Sequence, residues 1–254
     1  MTALPNLMVA PNGARRTKSD HPALPVTLPE IIETAKACAA AGADGLHLHL
    51  RDSEGRHLLD AGRYREALGE LRAHVPAMSL QITTEAAGRY AAPHQRQVAL
   101  DSGADMVSVA LREMVQDTPH STAAAFYSDC AERGTAVQHI LYDTKDFDLL
   151  TRLLPDTGLH DPALQLIFVL GRYSVNQESE PSDLDPFLER MAVEGLTPDW
   201  AVCAFGRGET ACLVDANQRG GKLRVGFENS LWHADGSVAR DNADRVRHVR
   251  QACG

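Results

Sequence analysis

Two histidines spaced for a shared metal stand out in this chain. Leu46-His47-Leu48-His49-Leu50 alternates apolar side chains with imidazoles. Side chains of a β-strand alternate between its faces, so the leucines share one face and His47 and His49 the other. Two imidazoles on one face suit a divalent transition metal, zinc foremost. Taken alone, the pair is weak evidence for a metal and fits a half-exposed strand with two solvated histidines better. A third ligand is offered by Leu223-Arg224-Val225-Gly226-Phe227-Glu228-Asn229, a second strand-like run that ends on an acid. Two neutral imidazoles and one carboxylate leave coordination positions open, as a catalytic zinc requires. Glu228 also reads as an acid at a helix N-terminus, because Asn229 and Ser230 are cap residues by type.

The elements that must position these groups alternate along the chain. Short apolar runs at 7–10, 45–50, 78–83, 106–110, 136–141, 164–170, 200–205 and 222–226 predict strands. Stretches at 28–41, 60–74, 93–102, 121–133, 146–154, 184–193, 209–219 and 241–252 predict helices. Pro29 suits a first turn, and Gly42, Gly103, Gly134 and Gly220 fall just past helix ends. Eight strand–helix units in 254 residues predict an α/β protein, a (β/α)8 TIM barrel, as one domain over 1–254. The glycine-rich phosphate loops GxGxxG and GxxxxGK are absent. In such a barrel strands 2 and 8 both flank strand 1. His47, His49 and Glu228 then converge at the C-terminal face, where barrel active sites form.

Composition narrows the partners. The formal net charge is −9, and the densest basic stretch is Arg15, Arg16 and Lys18, too short for a nucleic-acid footprint. No apolar run nears the ~18 residues of a membrane span, and MTALPNLMVAPNG does not read as a leader peptide. Five scattered cysteines without CxxC predict reduced thiols in a cytoplasmic protein.

HLHLRD after strand 2 and RVGFEN before a last helix near Asp241-Asn242 resemble the β-keto acid cleavage enzymes. Gly13-Ala14, Thr17-Lys18, Pro22-Ala23-Leu24-Pro25, Thr83-Thr84, the strand from Trp200 to Gly206 and Gly220-Gly221 extend the likeness over about residues 8 to 250. The resemblance implies a zinc-dependent (β/α)8 barrel, usually a homotetramer. Its reaction converts a β-keto acid and acetyl-CoA into acetoacetate and a new acyl-CoA. The metal chelates the keto acid and stabilises its enolate, and Arg224 orients or polarises the reacting groups. Thr83 matches the family's hydroxyl residue at the end of strand 3.

Each role has a structural alternative. Arg224 could instead form an ion pair between barrel layers, and Thr83 could be a β-branched strand end. Ser108 could bind substrate or be a core hydroxyl. Arg51 and Asp52 read as an ion pair and a loop cap, and His139 as a core histidine. Three departures from the family pattern matter. Asn229 stands where the family has an Asp that helps supply the base, and a carboxamide takes no proton at neutral pH. Arg15 replaces the acid found in the member that acts on an amino-bearing substrate. It predicts keto acids whose far end is anionic or neutral. Glu85 follows the paired threonines where glycine is usual. We expect it to take over part of the proton transfer, with Thr83 or Thr84 holding substrate, unless it pairs with Arg89. Two other readings remain at this level. An amidohydrolase-type barrel also uses HxH, but on strand 1 and with histidines on strands 5 and 6. A catalytically degenerate barrel would bind metal and ligand without turnover.

Overall fold

The computed structural model describes residues 2–254. Eight parallel strands close into a barrel: β1 Leu7–Val9, β2 Gly45–Leu48, β3 Ser79–Thr83, β4 Met106–Ala110, β5 Ala136–Leu141, β6 Gln165–Leu170, β7 Asp199–Ala204 and β8 Lys222–Val225. Each neighbours the next in sequence, and β1 closes the ring against β8. Eight helices cross between them: α1 Leu28–Ala41, α2 Ala61–His74, α3 Ala92–Asp101, α4 His120–Glu132, α5 Asp146–Leu153, α6 Asp185–Val193, α7 Glu209–Gln218 and α8 Asn242–Cys253. Two further turns of α-helix, Leu111–Met114 and Asp156–Leu159, and two 3-10 turns, Val175–Gln177 and Pro181–Leu184, fall outside these eight. Helix α1 shows how local chemistry sets the ends. Thr27 and Glu30 form a reciprocal capping box, Pro29 sits in the first turn, and Gly42 closes the helix in the left-handed region.

Alternation in the strands builds two layers. Leu46, Leu48, Ile82, Val107, Leu166 and Phe168 face outward and pack under the helices. Met8, Met106, Ala136, Ile167, Ala201 and Cys203 face inward and fill the barrel. Above that apolar floor the interior turns polar, with Gln81, Gln138, His47 and Arg224 all buried.

The strand expected over 45–50 is broken. Strand β2 ends at Leu48, and Leu50–Arg51 pairs antiparallel with His57–Leu58 in a small hairpin above the barrel. His49 is the hinge between the two. The chain must leave the barrel wall there to start the hairpin, yet Leu50 remains buried among the outer-layer residues. Among the described residues, no helix is long and apolar enough to cross a membrane.

Candidate active site

Strand β1 has only three residues, and this brings the ligand candidates together. Val9 lies level with Val225 on one side and Leu46 on the other. Beyond Val9 the contact with β8 continues, as the Ala10 N–H donates to the Val225 carbonyl and the Glu228 N–H to the Ala10 carbonyl. Glu228 thereby leans over β1 toward β2. Its Oε2 lies 3.8 Å from His47 Nε2, and its Oε1 lies 3.4 Å from His49 Nε2. The two Nε2 atoms are 3.1 Å apart. One donor atom from each of the three residues falls within 4.8 Å of the others.

A row of carboxamides sets the protonation of His47. Gln138 Nε2 donates to the Leu166 carbonyl, a group that only accepts, at 3.5 Å. Its Oε1 therefore accepts from Gln81 Nε2 at 3.0 Å, and Gln81 Oε1 faces His47 Nδ1 at 2.7 Å. Nδ1 must carry the proton, leaving Nε2 as a bare lone pair aimed at His49 and Glu228. Burial and the nearby Arg224 push the His47 pKa well below its ordinary value, so the ring stays neutral. Burial opposes charge on Glu228 as well, but His49, Arg224 and His47 hold its carboxyl well below the usual range. The two imidazole nitrogens are close enough to share either a proton or a bound cation. Glu228 Oε2 is also buried without a partner. Two nitrogens and a carboxylate with one orphaned oxygen fit a divalent transition metal.

The cavity that holds this cluster lies at the C-terminal mouth of the barrel. His47, Thr83, Glu85, Ser108, Arg224 and Glu228 all line it, as does the 12–16 loop with Arg15. Arg224 is buried, and its one partner is Cys203 Sγ at 3.2 Å; Nε and Nη1 have none. Among the described residues no carboxylate pairs with it directly, so it is not the interlayer ion pair considered above. Burial works against its charge, while Cys203 and Glu228 beside it raise its pKa. Ser108 Oγ is buried without a partner, and Thr83 Oγ1 accepts the Glu85 N–H.

Several expected placements change. Thr84 does not reach the cavity: its hydroxyl donates to the Ser108 carbonyl at 2.8 Å. Alternation puts Thr83 and Glu85 on the cavity side and Thr84 in the seam between β3 and β4. Asn229 is fully buried with both carboxamide atoms unpartnered, and it is not part of the cavity wall. The turn that bonds Asn229 N–H and Ser230 N–H to the Gly226 carbonyl sends successive side chains apart. Arg51 does not pair with Asp52. Its guanidinium donates to the carbonyls of Asn12, Gly13, Arg16 and Gly55, while Asp52 caps its loop and pairs with Arg56. Arg89 pairs with Asp52 rather than Glu85. His139 packs on Tyr127 in the helix layer, and burial lowers its pKa to about 3. Facing outward, it cannot serve as the strand-5 ligand of an amidohydrolase site.

The family model for the beta-keto acid cleavage enzyme matches residues 6–254. The chain belongs to that family. It is 29% identical to the 3-keto-5-aminohexanoate cleavage enzyme of Fusobacterium nucleatum subsp. nucleatum, covering 93% of this chain and 86% of the relative. It is 27% identical to the 3-oxoadipate:acetyl-CoA acetyltransferase of Cupriavidus necator, covering 97% and 87%. Among solved structures, a ternary complex of ObcA with C4-CoA adduct and oxalate superposes with a TM-score of 0.67 at 19% identity. That match covers 91% of this chain but 63% of the ObcA chain, and at such identity it shows the fold alone.

Beta-keto acid cleavage is thus the setting in which residues missed by sequence reasoning are to be understood. Arg16 donates to the carbonyls of Phe227 and Asn229, at 2.6 and 3.3 Å, gripping the backbone on both sides of Glu228. Asn242 accepts the Phe227 N–H and donates to the Pro11 carbonyl, tying the same loop to β1. Arg172, two residues beyond β6, lines the cavity. Its place directly after a strand's C-terminal end was the signal that could have found it.

Proposed function

We propose that this chain is a β-keto acid cleavage enzyme that uses one divalent ion, zinc or a similar metal, and acetyl-CoA as co-substrate. Its products are acetoacetate and a new acyl-CoA. The observation that supports the reading most strongly is the meeting of His47, His49 and Glu228, two of which open with Arg224 onto one barrel-mouth cavity where the Arg224 guanidinium has no carboxylate partner. The three residues would hold the ion, which when bound supplies Lewis acidity toward the keto acid's oxygens. The name of the Cupriavidus relative supports acetyl-CoA as the partner substrate. The reading extends to a cytoplasmic homotetramer, and the five cysteines are unpaired in the structure, as a reducing compartment favours.

The remaining work falls to the chain's own groups. Arg224 presents a charged fork in a water-poor site, where it takes a carboxylate and holds the reacting carbons in register. Thr83 Oγ1 accepts the Glu85 N–H, which leaves its own proton free to donate into the cavity. Ser108 Oγ is free in the same way. Both can support developing oxyanion charge. Glu85 is the carboxylate on the cavity wall outside the ligand set, and it takes the proton in place of the missing Asp. Glu85→Gln is expected to lower kcat by ~100-fold or more, the scale of general-base catalysis, with metal content unchanged. A near-normal kcat would remove Glu85 from this role.

Gly13 supports Glu228 by its lack of a side chain. A Cβ there would meet Glu228 Cγ at 2.6 Å, and its φ of +61° is costly for other residues. Gly13→Ala is expected to weaken metal retention by ~10-fold or more, since the added Cβ would push Glu228 from its place beside the histidines and each ~1.4 kcal/mol so lost is tenfold. Competition with a chelator reads this directly, and wild-type retention would show that Glu228 needs no such clearance.

The whole reading is tested by incubating zinc-loaded protein with acetyl-CoA and a panel of β-keto acids. Mass spectrometry should detect acetoacetate and the matching acyl-CoA. Absence of both across the panel, with zinc bound, rejects the proposal.

A further inference from the structure

We infer that the substrate carries a second carboxylate at its far end, seated between Arg15 and Arg172. The inference rests on the β-keto acid reading above and specifies its substrate class as a β-keto dicarboxylate.

The case begins with how the arginines at the barrel mouth use their donors. Arg16 and Arg51 give theirs to backbone carbonyls. Arg112 binds Asp143 and Asp146. Arg15 and Arg172 differ. Both approach one oxygen, Glu85 Oε1, with Arg15 Nε at 4.0 Å and Arg172 Nη2 at 3.8 Å. These separations exceed hydrogen-bond length. Among the described residues, the further contacts of the Arg172 guanidinium are the rings of Phe205 and Tyr173, at 5.2 and 6.0 Å. Each guanidinium has five N–H donors, so two forks facing one carboxylate oxygen leave most of that capacity unspent.

Position and exposure give the two arginines different parts. The Arg172 side chain is 17% exposed and braced by aromatic faces, so its fork is oriented before a ligand arrives. The Arg15 side chain is 64% exposed and free to close over an anion from the solvent side. Both line the cavity that contains Arg224. Arg224 takes the carboxylate of the reacting end, which leaves the outer pair for a second one. Among the described residues, Glu85 is the one carboxylate within 4.0 Å of these two guanidinium groups. A ligand ammonium would be repelled by both guanidinium groups, and a methyl group would add no partner for their unspent donors. A carboxylate gains charge-assisted, bidentate bonding with Arg172.

Two measurements on zinc-loaded protein test this. The first compares kcat/KM for 3-oxoadipate and 3-oxohexanoate, which have equal carbon counts and differ in the far end. The diacid is expected to be preferred by ~30-fold or more, the scale of a charged hydrogen bond. In Arg172→Met that ratio should fall toward one. Arg15→Met, at an exposed position, repeats the test if Arg172→Met does not fold. The second compares binding of unreactive adipate and hexanoate by calorimetry, and it needs no turnover. Adipate should bind more tightly, with the difference lost in Arg172→Met. Equal use of the two keto acids, or equal binding of the two unreactive acids, overturns the inference and leaves the proposed function standing. Arginine-dependent adipate binding without any keto acid turnover supports the anion seat and rejects the proposed function instead.

Discussion

Replacing His49 by alanine is expected to strip the bound metal and to lower kcat/KM by ~1,000-fold or more, with the barrel still folded. Changes one shell beyond a metal ligand already cost ~10–100-fold in affinity or activity, so loss of a ligand itself must cost more. His49 is placed for that role between β2 and the hairpin, its Nε2 at 3.4 Å from Glu228 and 3.1 Å from His47. Its Nδ1 has no partner, so truncation breaks no hydrogen bond from that edge of the ring. The flanking Leu48 and Leu50 keep their packing against the outer layer. Elemental analysis of the purified variant, with circular dichroism and a melting curve, separates loss of metal from loss of fold. Metal content equal to wild type would remove His49 from the ligand set.

Arg224→Met is expected to separate activity from stability. Activity should fall by ~100- to 1,000-fold in kcat/KM, because truncating a buried charged partner costs about 2–5 kcal/mol. Stability of the zinc-loaded, substrate-free protein should stay level or rise. The guanidinium is buried with two nitrogens unpartnered and one sulfur contact at 3.2 Å, and a bound ion would cancel much of the attraction of Glu228 that otherwise offsets its desolvation. A methionine fills much of the same volume without that cost. A gain of ~1 kcal/mol would raise Tm by about 2–4 °C for a chain of this size. The zinc-loaded state is essential, because without the ion Arg224 helps offset the charge of Glu228. A clear fall in Tm of the loaded variant would mark Arg224 as a structural residue.

Most of the architecture could be read from local pattern. Each strand is a short, mainly apolar run, some with polar residues at alternate positions, and each is followed by a helical stretch. A ring of eight such units has only one simple closure. The same alternation put His47 on the inner face, and strand order placed Glu228 across β1 from it. The family likeness rested on those stretches, and the match over residues 6–254 agrees with it. Pattern failed where the chain leaves a strand. The period of two persists just past β3, turning Thr84 aside and Glu85 toward the cavity, while the turn after Glu228 ends it and removes Asn229 from the wall. Arg51 looked like the partner of its neighbour Asp52, but its long side chain reaches the carbonyls of the 12–16 loop instead. The pairing of Arg15 with Arg172 across Glu85, and the Gln81–Gln138 row that fixes the His47 tautomer, join residues from different strands and loops. Sequence spacing carries no information about such contacts. They depend on barrel closure, which sets groups far apart in the chain within a few ångströms of one another.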